Sequence, residues 1–196
     1  MNPIPIKRDI IVIGSSAGGV PVLQYLCGAL PADLPAVIGV VLHRDARHGG
    51  DVSAVYEKEG RIRVREAKDG DWLKHGTVYF APADHHLLFG TTHAQLSRGP
   101  KVHFARPAID RLFSSSARTF TTRVAGLLLT GANRDGAQGL VEIKGHGGLT
   151  FVQRPEEAAY PTMPLSGLQE DAPAVVSLQP MPDLLIALAT GQLTTV

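Results

Sequence analysis

The sequence is poor in cysteine, poor in aromatic residues and almost balanced in charge. Cys27 is its single cysteine, so the chain can form no intrachain disulfide and no Cys-x-x-Cys pair, and we expect a reducing, cytoplasmic environment. Its 19 basic and 18 acidic residues leave a net charge of +1, which gives no general attraction for nucleic acid. No apolar run reaches the ~20 residues of a membrane helix, so we expect no membrane insertion.

What the chain does contain is a globular composition, with 44% hydrophobic residues, and a repeated pattern of strand and helix. Continuous apolar runs, typical of parallel strands covered on both faces, occur at 9–13, 36–42 and 124–129. Further strands are predicted at 61–67, 77–81 and 149–152, a hairpin at 87–89 and 94–97, and helices after 19, after 107, at 135–144 and at 183–189. This order predicts an α/β fold, a three-layer αβα sandwich with a doubly wound, mostly parallel, Rossmann-like sheet, in one domain covering 1–196.

Three polar residues of different chemistry follow the three clearest strands. Ser16 comes after the first, His43 directly after the second and Asp135 a few residues after the third. Ligands of such folds bind beyond the carboxyl ends of the strands, and neighbouring strands lie only ~4.8 Å apart. A serine nucleophile needs a neutral imidazole as its base, and the imidazole needs a carboxylate to orient it. The spacing therefore suggests a Ser-His-Asp catalytic triad.

The turn after the first strand supports the choice of serine. Gly14-Ser15-Ser16-Ala17-Gly18 fits the G-x-S-x-G pattern, in which glycines allow a sharp turn that exposes the central hydroxyl. Ser16 is central in that frame, whereas its rival Ser15 is not. The turn precedes a predicted helix, whose N-terminus favours negative charge, and the N–H of Ala17 is the first candidate donor to an oxyanion.

The same turn has a second interpretation, because glycine-rich turns after a first strand often cradle a phosphate or dinucleotide. Gly14, Gly18 and Gly19 could serve that use. Their spacing is G-x-x-x-G-G rather than G-x-G-x-x-G, and the second strand ends in His43 rather than in an acidic residue. Asp45 lies close enough to hold a ribose, so both interpretations stay open.

Individual polar residues also have simpler interpretations. His43 could cap a strand through a backbone hydrogen bond, and Asp135 could be the N-cap of the helix that follows it. Asp84, Asp110 and Arg106 are interpreted as structural residues. The eight histidines show no His-Glu-x-x-His motif or comparable grouping, and we expect no metal site.

At these residues the chain resembles the catalytic domain of the chemotaxis receptor protein-glutamate methylesterases, the CheB family. The resemblance runs from about residue 11 to 189 and rests on segments in the family's order, namely 13–19, His43, 79–82, Arg106-Pro107 and 129–137. It implies that Ser16, His43 and Asp135 are the catalytic residues. Many members carry Met-Gly where this chain has Ala132-Asn133.

The resemblance implies that the protein is a carboxylic ester hydrolase. Its substrates would be glutamate γ-methyl esters, and often glutamines, on a methylated chemoreceptor or similar signalling protein. No cofactor is implied. Most members have an N-terminal receiver domain, for which there is no room before Asp9, so we expect a stand-alone form with a separate response regulator or kinase as partner. The alternative is a nucleotide-binding or catalytically silent sensory adaptor of the same fold.

Overall fold

A computed structural model describes residues 7–43, 52–58 and 61–192. The strands in these segments are β1 (Ile10–Ser15), β2 (Val37–Leu42), β3 (Arg63–Glu66), β4 (Thr77–Phe80), β5 (His86–Phe89), β6 (Ala94–Ser97), β7 (Val124–Leu128), β8 (Leu149–Gln153) and β9 (Ala174–Val176). The helices are α1 (Gly19–Ala29), α2 (Val52–Tyr56), α3 (Ile109–Phe120), α4 (Ala137–Gly145), α5 (Thr162–Asp171) and α6 (Met181–Thr190).

A seven-stranded parallel sheet forms the centre of the molecule, in the order β3-β4-β2-β1-β7-β8-β9. The first half of the chain extends the sheet from β1 to one side through β2, and the second half extends it to the other side from β7. Strand order therefore reverses between β1 and β7, where ligands of doubly wound sheets bind. The predicted α/β class is confirmed.

Helices cover both faces of the sheet and bury it completely at β1. Ile11 and Ile13 belong to the cluster formed with α1, α2 and α6. Ile10 and Val12 point the other way, into the cluster formed with α3, α4 and the β5–β6 hairpin. Because successive side chains of a strand point to opposite faces, a strand buried on both sides needs the continuous apolar run seen here.

The remaining elements differ from the sequence prediction in a few places. The hairpin at β5 and β6 is antiparallel as predicted, but the predicted helix at 135–144 begins later, at Ala137. The elements α2, α5 and β9 were not predicted. The first and last are only five and three residues long, and α5 contains Pro164 and Gly167, which are poor helix formers.

A glycine in β1 allows α3 to approach the sheet closely. A Cβ on Gly14 would overlap Ile109 Cγ2 and would lie 3.0 Å from Leu128 Cδ1. Ile109 is the first residue of α3. The absence of a side chain at Gly14 thus fixes how near the start of this helix lies to the end of β1.

We predict that Gly14→Ala lowers the free energy of unfolding by about 1–3 kcal/mol, the usual cost of overpacking a core. The matched control is Gly145→Ala in α4, where an added Cβ meets no atom within 4 Å. Urea denaturation of both variants measures the difference. Equal stability of the two variants would show that the contact between α3 and β1 does not depend on Gly14.

Candidate active site

The turn after β1 separates the two neighbouring serines. Ser15 is the last residue of the strand, fully buried, and its hydroxyl donates to the Thr130 carbonyl at 2.9 Å. Ser16 is half-buried, its backbone N–H donates to the same carbonyl at 3.0 Å, and its own carbonyl accepts the N–H of Gly19 at 3.0 Å. Ser16 lines a pocket beside this edge of the sheet, and Ser15 is not among the residues that line it. Ser16, and not Ser15, thus faces the pocket.

The backbone next to Ser16 can accept negative charge. Helix α1 begins at Gly19, and its N-cap Gly18 has a φ of 76°, a conformation that favours glycine. Within the part of the chain that the structure describes, the N–H of Ala17 has no hydrogen-bond acceptor. This donor lies at the positive end of the helix dipole. Asp45, the residue of the nucleotide-binding alternative, lies outside the described residues.

His43 follows β2 and holds its ring between two side chains of the β7–α4 loop. Its Nε2 lies 2.8 Å from Asp135 Oδ2, and its Nδ1 lies 3.1 Å from Asn133 Nδ2. A carboxylate only accepts hydrogen bonds and an amide nitrogen only donates them. The neutral ring therefore carries its proton on Nε2 and keeps a lone pair on Nδ1. The ring does not cap a strand; only the backbone N–H of His43 does so, by donating to Ser15 O at 3.0 Å.

Asp135 is fully buried and accepts three hydrogen bonds. Besides His43, its donors are the backbone N–H groups of Ile109 at 2.7 Å and Asp110 at 3.0 Å, in the first turn of α3. The prediction that Asp135 caps the helix that follows it is therefore wrong. The cap is made to α3, because α4 begins at Ala137 after Gly136, which has a φ of 97° and no side-chain cap.

Asp110 in turn caps the N-terminus of α4. Its Oδ1 accepts the N–H of Gly136 at 3.0 Å and that of Gly139 at 2.7 Å. Asp135 thus caps α3, which contains Asp110, and Asp110 caps α4, which follows Asp135. We call this pair, Asp110 and Asp135, the crossed caps. Asp135 contacts His43 at the pocket, and Asp110 contacts the exposed His103, whose Nε2 lies 3.4 Å from Asp110 Oδ2.

The crossed caps are electrostatically unequal. Burial, and then the neighbouring charge of Asp135, raise the pKa of Asp110 to about 6. Burial also acts to raise the pKa of Asp135, but the hydrogen bonds from His43 and from the N–H groups of Asp110 and Ile109 outweigh it and hold that pKa below its usual range. Below about pH 6 the negative charge of the pair therefore resides on Asp135, the carboxylate that faces His43.

A pocket of about 450 Å³ opens beside Ser16 and His43. Its far wall is the segment 101–107, where Phe104 is 97% exposed. Arg106 anchors this wall, since it donates to Asp84 Oδ1 at 2.6 Å and to the carbonyls of Arg98 and Gly99. The hydrogen bond from Arg106 also lowers the pKa of Asp84. Asp84 and Arg106, interpreted from the sequence as structural, thus help to shape the pocket.

The sequence prediction did not identify the roles of Asn133 and Asp110. Asn133 was noted only as a departure from Met-Gly, yet it touches His43 and lines the pocket. Asp110 was interpreted as structural, although it contacts the loop that carries Asp135. Both roles depend on contacts between residues 25 to 90 positions apart, which no local pattern indicates.

The single cysteine does not line this pocket, and the described residues form no metal-binding group. Cys27 lies on the buried face of α1, and burial raises the pKa of its thiol to about 12. Residues 7–43, 52–58 and 61–192 contain no group of three or more His, Cys, Asp or Glu side chains arranged to hold a metal ion. None of the helices described here has the length and apolar character needed to cross a membrane.

Comparisons with known proteins agree on one family. A family model described as CheB methylesterase matches residues 11–185. A protein of Leptospira interrogans is 38% identical over 187 residues, which are 94% of this chain and 97% of the relative. The protein-glutamate methylesterase/protein-glutamine glutaminase 2 of Anaeromyxobacter dehalogenans is 42% identical over 147 residues, but this chain covers only 43% of its length.

A solved structure gives the same result for the fold. The crystal structure of the Thermotoga maritima CheB methylesterase catalytic domain superposes with a TM-score of 0.82 at 30% sequence identity. The match covers 92% of this chain and 98% of that one. The similarity therefore extends over the sheet, the helices and the edge that carries Ser16, His43 and Asp135.

The raised pKa of Asp110 predicts a pH dependence of stability. Below about pH 6 the folded protein keeps Asp110 protonated, whereas the unfolded chain ionises it above about pH 4. The folded state binds more protons in this window, so the contribution of Asp110 to stability falls as pH rises from 4 to 6 and is constant above that. Asp110→Asn removes this loss and leaves an oxygen to accept both N–H groups.

Urea denaturation at pH 4.5 and pH 7 measures the effect. The free energy of unfolding of Asp110→Asn, minus that of wild type, should be larger at pH 7 than at pH 4.5. The control is Asp33→Asn at an exposed turn. Its free energy of unfolding, minus that of wild type, should be the same at both pH values. The same difference at both pH values for Asp110→Asn would contradict the assignment of the proton to Asp110.

Proposed function

This chain belongs to the CheB methylesterase family, and we propose that it hydrolyses glutamate γ-methyl esters on a methylated chemoreceptor or similar signalling protein. The observation that carries the proposal is the 2.8 Å bond between His43 Nε2 and Asp135 Oδ2 beside the pocket that Ser16 lines. We further propose that residues 1–196 act as one domain, in the cytoplasm, in chemotaxis or sensory adaptation. A separate response regulator or kinase would be its regulatory partner.

In the first proposed step Ser16 attacks the ester. As Oγ bonds to the carbonyl carbon, its proton passes to His43 Nδ1, the ring nitrogen that Asp135 does not hold. The carbonyl oxygen becomes an oxyanion, and the N–H of Ala17 can donate to it at the start of α1. The tetrahedral intermediate then breaks its bond to the methoxy oxygen. His43 returns the proton to that oxygen, and methanol leaves.

In the second step water hydrolyses the acyl-enzyme. His43 Nδ1 takes a proton from the water, whose oxygen bonds to the acyl carbon, and then gives that proton to Ser16 Oγ as the ester bond breaks. The products are free Ser16 and a glutamic acid side chain, which loses its proton to solvent to give the carboxylate. The buried charge of Asp135 stabilises the imidazolium that forms in both steps. The same steps on a glutamine side chain would release ammonia instead of methanol, so we include deamidation in the proposal.

The proposal is supported by three chemical roles that meet at this edge of the sheet: Ser16 and His43 line the pocket, and the buried Asp135 is hydrogen-bonded to His43. Ser16 offers a hydroxyl as nucleophile, His43 a neutral nitrogen as base, and Asp135 a fixed negative charge. The steps consequently use no metal ion and no cofactor. Phe104, 97% exposed, stands at the pocket wall, where another protein that presents a substrate side chain can contact it.

We predict that Ser16→Ala lowers methanol release from a methylated chemoreceptor by roughly 10³-fold or more. The loss follows because, among the described residues, Ser16 is the one hydroxyl-bearing residue that lines this pocket. Ser15→Ala is the matched control: it removes the adjacent serine, whose hydroxyl is occupied by the Thr130 carbonyl, and should keep activity within a few-fold. Losses from Ser16→Ala and His43→Ala should not add in the double variant, since the triad acts as a unit.

Labelling with an organophosphonate ester and peptide mapping gives an independent readout. Wild type and Ser15→Ala should be modified on Ser16, and Ser16→Ala should not be modified. Undiminished methanol release by Ser16→Ala would overturn the proposal. A wild-type protein that neither releases methanol nor reacts with the phosphonate would favour the silent adaptor instead.

A further inference from the structure

Asn133 bridges the two residues that the proposed mechanism joins. Its Nδ2 donates to His43 Nδ1 at 3.1 Å, and its Oδ1 accepts the backbone N–H of Asp135 at 3.0 Å. The second bond fixes the orientation of the amide, because an N–H group must face the oxygen and not the nitrogen. The nitrogen of Asn133 therefore faces His43, and it can only donate.

The contact occupies the atom on which the proposed reaction depends. Asp135 holds Nε2, so Nδ1 is the one ring nitrogen left to receive the proton of Ser16. Its single lone pair lies in the plane of the ring and accepts one well-aligned hydrogen bond at a time. Among the described residues no hydrogen bond joins Ser16 Oγ to His43, although both line the same pocket. The resting base is thus engaged with Asn133 and not with the nucleophile.

Asn133 is not needed to choose the tautomer of His43. The carboxylate of Asp135 can only accept, so it alone places the proton on Nε2. The Asn133 amide adds no charge to stabilise an imidazolium. It would instead have to leave Nδ1 before that nitrogen is protonated, because two donors cannot share one bond. What the amide contributes uniquely is competition for the lone pair.

We propose that Asn133 is a positioning residue that restrains the catalytic base: it holds His43 Nδ1 in a resting contact that Ser16 must replace before it can react. This inference rests on the proposed function, since it assigns Ser16 and His43 their roles there. Asn133 is half-buried and borders the pocket, so an entering substrate can displace its side chain. The nucleophile is then activated only when the pocket is filled.

Two substitutions at this position should act in opposite directions. Asn133→Ala removes the competitor, so the rate of Ser16 phosphonylation should rise about three- to tenfold, the range that one ordinary hydrogen bond represents. Asn133→Asp keeps an oxygen for the N–H of Asp135 but turns an acceptor toward Nδ1. That carboxylate would hold a proton on the nitrogen, and the rate should fall at least tenfold. Arg134→Ala, an exposed change in the same loop, should leave the rate unchanged.

A merely structural role predicts the reverse order. If Asn133 only supports the loop through Asp135, then Asn133→Ala should be slower than wild type and Asn133→Asp should resemble it. That result would overturn the inference while leaving the proposed function intact. A lower melting temperature of Asn133→Ala with a raised labelling rate would still support the restraint, because unfolding cannot accelerate the reaction.

A measurement without turnover tests the contact itself. In a Ser16→Ala background, ¹⁵N NMR of His43 should show a proton on Nε2 alone and a hydrogen-bonded Nδ1. Adding Asn133→Ala should move the Nδ1 resonance to that of an unbonded nitrogen. Because this readout needs no substrate, it holds even if the protein proves to have no esterase activity. An Nδ1 resonance that is identical with and without Asn133 would overturn the inference.

Discussion

The site depends on the crossed caps, in which Asp135 caps the N-terminus of α3 and Asp110 caps that of α4. Asp135 accepts the first N–H groups of α3, and Asp110 accepts the first N–H groups of α4. Helix N-termini leave these donors without internal partners and carry partial positive charge. Two buried carboxylates can therefore lie side by side, because four backbone donors surround them and one of the two holds a proton over part of the pH range.

The crossed caps also connect the fold to the chemistry of the site. Gly14 allows α3 to begin close to the end of β1, which brings the N–H of Ile109 within reach of Asp135. Asp135 then holds His43 by Nε2 and leaves Nδ1 toward the pocket. Since the donors to Asp135 are backbone groups of a packed helix, the position of the carboxylate depends on the helix and not on a mobile side chain. The imidazole is thereby oriented without a bond to its own strand.

The sequence indicated most of the sheet because its strands are buried on both faces. β1 and β2 consist mostly of β-branched apolar residues, and β7 is a buried run of Val, Ala, Gly and Leu. Such runs have few alternative structures. The elements that escaped prediction lack that signal. Helix α5 begins Thr-Met-Pro and contains Gly167, so its propensity is low, and packing of Met163 and Gly167 against the sheet stabilises it instead.

For the site, the sequence indicated which residues stand at strand ends but not how they are held. The strand-end rule was sufficient to select Ser16, His43 and Asp135 as candidates, and their catalytic roles stay a prediction. It could not indicate that Asp135 caps α3, that Asp110 caps α4, or that Asn133 occupies Nδ1. Each of these contacts joins separate segments, and its existence follows only from the packing of α3 on α4 and of both on the sheet.

A crystal structure of the phosphonate adduct would test the central account most directly. The account predicts phosphorus bonded to Ser16 Oγ, a phosphonyl oxygen within hydrogen-bond distance of the Ala17 N–H, and His43 Nε2 still on Asp135 with Nδ1 turned to Ser16. An adduct in which the ring is reversed, with Nδ1 on Asp135, would contradict it. An intact adduct in which Asp135 no longer accepts the N–H groups of Ile109 and Asp110 would also contradict it.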